Sequence, residues 1–110
     1  MAEQEHIVLC ASNHYEQKYY FNPDFSILPQ HIQEELKILC VLFTEEVGGV
    51  FSIEYDENGQ LQLCTSPDPE DIMFDEIGAG LKIKQLQMEK TELFESLELF
   101  YRIFTQGETE

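Results

Sequence analysis

Apolar and polar positions alternate most cleanly between Val50 and Thr65. Val50, Ser52 and Glu54 fall on one face and Phe51, Ile53 and Tyr55 on the other, the period of a half-buried strand. Leu61, Leu63 and Thr65 alternate with Gln60, Gln62 and Cys64 on the way back, after Asp56-Glu57-Asn58-Gly59. Asn-Gly between two such runs predicts a β-hairpin. Nearer the start, His6 to Ser12 holds the unbroken apolar run Ile-Val-Leu-Cys-Ala, short enough for a strand. Ser12-Asn13-His14 supplies turn chemistry, and Lys18-Tyr19-Tyr20-Phe21 is a candidate second strand returning beside the first. Asn22-Pro23-Asp24 ends it, because proline offers no ladder donor and biases its predecessor away from helix.

A period of three and four takes over at Ile32, Leu36, Leu39, Cys40, Phe43 and Val47, predicting a helix from about Pro29 to Val47. Proline suits its first turn, and Gly48-Gly49 ends it through a left-handed C-cap. Ile38, Val41 and Leu42 widen the stripe, so this helix is expected to be covered on more than one side. Asp68 is a candidate N-cap with Pro69 as first residue, and Glu70 and Asp71 suit the positive end of a helix dipole. Asp71 is also placed for a capping-box-like contact with the turn at Asp68. The helical pattern then runs to about Phe104. Gly78-Ala79-Gly80 interrupts it, marking either a break near residue 79 or close packing over the glycines. Ile83, Leu86, Leu93, Leu97, Phe100 and Phe104 form one stripe of a long C-terminal helix. Phe94, Leu99, Tyr101 and Ile103 make its last turns apolar nearly all round, and Thr105 to Glu110 is a polar tail. The expected architecture is a single α+β domain over residues 1–110 in the order β(β)αββα, a small, mostly antiparallel sheet with helices on one face.

Charge narrows the functions available. Asp and Glu number 22 against 6 Lys and Arg, a formal −16 over 110 residues. Phosphate-tracking nucleic-acid binding needs clustered cations, and an anionic membrane surface repels such a chain. No stretch approaches the ~20 apolar residues of a membrane span, and the acidic start followed by a short apolar run lacks a signal sequence's form. Cys10, Cys40 and Cys64 are an odd number without Cys-x-x-Cys spacing, each beside a leucine. That suits reduced, buried thiols in the cytoplasm.

Motifs that carry chemistry are missing or incomplete. Gly78-Ala79-Gly80 has Ile83 where a dinucleotide fingerprint needs its third glycine, and Asp75 and Glu76 would repel a phosphate. Asp56-Glu57-Asn58-Gly59 lacks the spacing and closing glutamate of a calcium loop. His6 and Cys10 would share one face of a strand, but no pair shows zinc spacing such as Cys-x2-Cys or His-x3-His, and no nucleophile elbow or His-Glu-x-x-His occurs. The expected catalytic, cofactor-binding and metal-binding residues are therefore none. Two features remain. Asp56, Glu57, Asp68, Glu70, Asp71, Asp75 and Glu76 run without an intervening base, an acidic rim for a basic protein partner or simply a solvated face. Phe94, Leu97, Phe100, Tyr101 and Phe104 either complete the core or form a self-association face for a homodimer.

Several stretches carry a resemblance: Ile7-Val8-Leu9-Cys10-Ala11-Ser12, Tyr19-Tyr20-Phe21-Asn22, Leu39 through Gly49, and Asp75-Glu76-Ile77-Gly78 through Leu97-Glu98-Leu99-Phe100-Tyr101-Arg102. In these the chain resembles a family of small acidic proteins from anaerobic, clostridia-type Gram-positive bacteria, described only as a domain of unknown function. The resemblance implies a bacterial cytosolic protein and transfers no activity, cofactor or catalytic residue. The leading expectation is a non-catalytic interaction domain, chaperone-like or inhibitor-like toward a basic protein. The alternative is a small-ligand domain or enzyme with its site between sheet and helices, using His14, Tyr15 or Tyr19. A nucleic-acid mimic with spaced carboxylates is a third, weakened by the even spread of charge: −7 for residues 1–55 and −9 for 56–110.

Overall fold

The computed structural model describes residues 6–106. Four strands, β1 (Ile7–Asn13), β2 (Lys18–Phe21), β3 (Val50–Tyr55) and β4 (Leu61–Ser66), form one sheet in the order β2-β1-β3-β4. Every neighbouring pair is antiparallel. Helix α1 (Gln30–Val47) connects β2 to β3, and α2 (Glu76–Glu89) and α3 (Thr91–Gln106) follow β4. This is the α+β arrangement that the patterning predicts, including the strand at Lys18–Phe21 and the helical C-terminal region.

The alternation of β3 sets the core. Phe51, Ile53 and Tyr55 are fully buried, and their partners follow the pleat. Tyr55 lies opposite Ile7 and Leu61, Ile53 opposite Cys10 and Leu63, Phe51 opposite Ser12 and Thr65. The unbroken apolar run of β1 has a physical cause. Its register shifts between Val8 and Cys10, so a bulge at Leu9 lets both Leu9 and Cys10 be buried. Asn22 fastens this region: its Nδ2 donates to the Val8 carbonyl at 2.8 Å and its backbone N–H to the Leu9 carbonyl at 2.9 Å. Its Oδ1 accepts from Asp24 N–H at 2.9 Å, starting a 3-10 turn at Pro23–Phe25.

Helix α1 lays Leu36, Leu39, Cys40, Phe43 and Thr44 on the sheet, with the Phe43 and Phe51 rings stacked at 4.0 Å. Pro29 is the N-cap rather than the first helical residue, and Gly48, at φ +86°, ends the helix. Ile38 and Leu42, expected to be covered, are exposed. The element that would cover them, α2, reaches α1 through Leu86 and two ion pairs, Lys82–Glu46 at 2.6 Å and Lys90–Glu35 at 3.1 Å. A groove of about 430 Å³ remains between the two helices.

Three expectations about the C-terminal half are corrected. Helix α2 begins at Asp75, whose Oδ1 accepts from Gly78 N–H at 3.0 Å, and not at Asp68. Gly78-Ala79-Gly80 therefore lies in its first turns, where the glycines interrupt nothing. The break falls instead at Lys90, at φ −112° and ψ 28°, where α2 leaves α1 and α3 turns toward β4. Helix α3 buries Phe94 and Leu97 and accepts the Tyr55 hydroxyl at the Leu97 carbonyl, 2.9 Å away. Glu98 accepts the Leu61 N–H at 2.9 Å, tying α3 to β4. The expected polar tail starts inside α3, which runs to Gln106; residues 107–110 lie outside the described residues.

Candidate functional site

The seven acids of the proposed rim separate into two groups. Asp56 and Glu57 sit at the hairpin tip between β3 and β4, whereas Asp68, Glu70, Asp71, Asp75 and Glu76 follow the far end of β4. A six-residue strand, roughly 17 Å long, stands between the groups. Asp56 serves its own turn. Its Oδ1 accepts from Asn58 N–H at 2.8 Å and Gln60 N–H at 3.0 Å, and its Oδ2 from the Gln62 amide at 2.9 Å. The Gln60 and Asn58 N–H groups hold this carboxyl below its ordinary value.

Residues 67–75 are built by their aspartates. Asp68 Oδ1 accepts from Glu70 N–H at 2.8 Å and Asp71 Oδ1 from Met73 N–H at 3.1 Å, successive side-chain-to-backbone turns. The Tyr15 hydroxyl, from the turn between β1 and β2, fastens both. It donates to Asp71 Oδ2 at 2.6 Å and accepts from Asp68 N–H at 2.9 Å. The Asp71 carboxylate, as acceptor of that proton, raises the Tyr15 pKa. The Phe74 ring packs over Gly49.

This arrangement turns apolar side chains outward. Ile72 is 90% exposed, Met73 85%, Ile77 78% and Leu81 64%. They stand among the five carboxylates, and no Lys or Arg occurs between Lys37 and Lys82. Phe74 and Ile77 line a depression of about 450 Å³ with Pro67, Pro69 and four of the acids. Single exposed leucines are ordinary, but four large apolar side chains within ten residues are not. The sequence pattern predicts a helix through this stretch and gives its apolar residues no role.

The aromatic stripe of α3 is placed inside the chain. Phe94 and Leu97 are buried, and Phe100, Tyr101 and Phe104 are half-buried against the core. The Phe25 ring joins them, with centroids 6.4 Å from Phe100, 6.4 Å from Tyr101 and 5.8 Å from Phe104. It also stacks on Tyr55 at 5.6 Å. The large apolar side chains that α3 turns outward are Leu99 and Ile103.

Of the residues expected around a ligand site, His14 and Tyr19 line a cavity of about 360 Å³ between α1 and the β1–β2 hairpin, while Tyr15 is engaged with Asp68 and Asp71. Cys10 and Cys40 are buried with sulfurs 3.6 Å apart, and Cys64 is half-buried on the uncovered sheet face. The hydrogen bond with Cys10, and then burial, push the Cys40 thiol well above its ordinary value. His6 meets Glu54 at 2.9 Å. Among the described residues, no three His, Cys, Asp or Glu side chains converge as a metal-ligand set, and no helix is long and apolar enough to cross a membrane.

Residues 6–109 match the family of unknown function DUF6145, and the chain belongs to that family. No curated protein and no solved structure matches it significantly.

Proposed function

For this member of a family without an assigned role, we propose a non-catalytic, cytoplasmic interaction domain that docks a basic, amphipathic protein partner on residues 67–81. The observation that carries the reading is the exposure of Ile72, Met73, Ile77 and Leu81 among Asp68, Glu70, Asp71, Asp75 and Glu76. Covering four such side chains contributes roughly 6–12 kcal/mol, against an association cost of ~4–15 kcal/mol. The acids add steering and specificity rather than most of the affinity. An adaptor-like or inhibitor-like role follows, with binding weakened by salt. A homodimer would use Leu99 and Ile103, because the rings of α3 face its own core.

The test compares two baits in one bacterial lysate: the chain itself and its Ile72→Ser/Met73→Ser/Ile77→Ser variant. The expected result is one stoichiometric basic protein that is held by the former, lost from the latter, and released by salt. Equal retention by both baits would remove residues 67–81 from the interface.

A further inference from the structure

The concavities described on this molecule are acid-rich, with one exception. The groove between α1 and α2 carries Glu34, Glu35, Glu46 and Glu89 against Lys82 and Lys90. The depression at residues 67–77 carries acids alone. In the cavity between α1 and the β1–β2 hairpin the balance reverses: Lys18 and Lys37 face a single carboxylate, Glu45, with His14 beside them. Two of the chain's six Lys and Arg residues thus meet at one site although they are nineteen positions apart. They are also differently occupied. Lys82 and Lys90 pair with glutamates, whereas among the described residues neither Lys18 nor Lys37 lies in an ion pair. Lys37 instead stands over the Tyr19 ring, 5.9 Å from its centroid.

The inner wall is polar where the layers of a sheet and a helix ordinarily meet through hydrocarbon. Ser12 of β1 and Thr44 of α1 are buried there, their hydroxyls 2.8 Å apart. The Thr44 hydroxyl also reaches the Val41 carbonyl at 3.1 Å, so the pair is satisfied internally and stable without a ligand. Asn13 and Gln17 add amides to the lining. The volume, about 360 Å³, lies at the small end of ligand cavities.

We infer that this cavity binds a compact small-molecule dianion, with Lys18 and Lys37 supplying the countercharge and the Asn13 and Gln17 amides the N–H donors of its wall. Lysine ammoniums bind phosphate as point charges, and two of them match two negative charges. The overall −16 does not forbid this, because at physiological ionic strength charges beyond about 8 Å are largely screened while those lining the cavity are not. The inference does not rest on the docking face, from which it shares no residue.

The test is a two-dimensional amide NMR titration of the full chain with inorganic phosphate, and separately with succinate, at ionic strength held constant with sodium chloride. The expected result is a saturable shift confined to residues 12–19 and 37–45. Lys37→Met should weaken it roughly tenfold, and Lys84→Met, on the exposed side of α2, should leave it unchanged. Saturation by phosphate identifies a phosphate-type ligand and saturation by succinate alone a dicarboxylate; either supports the anion site. Absence of saturation with both, shifts reproduced by sodium chloride, or shifts undiminished in Lys37→Met would overturn it.

Discussion

Phe25 is the ring on which the C-terminal helix closes. It is 2% exposed and sits between Tyr55 of the sheet and Phe100, Tyr101 and Phe104 of α3, with centroids 5.6–6.4 Å away. Replacing it by alanine removes a buried ring from a site bounded by other rings, which cannot collapse into the gap. Such truncations cost ~3–5 kcal/mol, and each aromatic pair lost adds up to about 1 kcal/mol beyond area burial. Against a total stability of roughly 5–15 kcal/mol, Phe25→Ala should remove about a fifth or more and lower Tm by about 12–30 °C. Urea unfolding followed by far-UV circular dichroism, at three protein concentrations, reads both the loss and its origin. A ring cluster within one chain gives midpoints independent of concentration. A loss under about 1 kcal/mol would refute the packing argument. A wild-type midpoint that rises with concentration would show that the α3 rings are shared between copies.

Two further predictions concern other parts of the fold. Gly49 lies at φ +72°, and a Cβ there would come 2.8 Å from the Phe74 ring, so Gly49→Ala should cost ~1–3 kcal/mol. Part of that loss should be recovered by Phe74→Leu if the ring is the obstacle, and none if the cost is conformational only. Burial raises the Tyr19 and Tyr55 pKa values above 10.0, and the Asp71 carboxylate raises that of Tyr15. The fold thus holds these phenols neutral, and their contribution is fully present below pH 10 and lost as pH rises past it. Absorbance at 295 nm should therefore show part of the five-tyrosine signal appearing only with unfolding, whereas one ordinary ionisation step in the intact fold would contradict this.

What was legible in the sequence is what local rules decide. The β3–β4 hairpin follows from strict alternation and Asn58-Gly59, and α1 from its stripe and Gly48. Local rules place the start of α2 at Asp68-Pro69, which satisfies each of them for a helix N-terminus, and not at Asp75. A long-range partner, Tyr15, instead commits Asp68 and Asp71 to turns. The break at Lys90 carries no glycine or proline; it arises because α2 and α3 pack on different neighbours. Phe25, a lone aromatic after Asn22-Pro23-Asp24, has no periodicity to reveal its burial. The split of the acidic run, and the meeting of Lys18 with Lys37, follow only from which strand ends the topology brings together. The exposure of Ile72, Met73 and Ile77 likewise depends on the Asp68 and Asp71 turns, which no local periodicity announces.

The central claim, docking at residues 67–81, is tested most directly by hydrogen-exchange mass spectrometry with a synthetic helical peptide of lysine and leucine. Protection should concentrate at residues 67–81 and be lost in the Ile72→Ser/Met73→Ser/Ile77→Ser variant. Protection spread over the other acidic surfaces, such as Glu92 and Glu95 of α3, or unchanged in the variant, would contradict it.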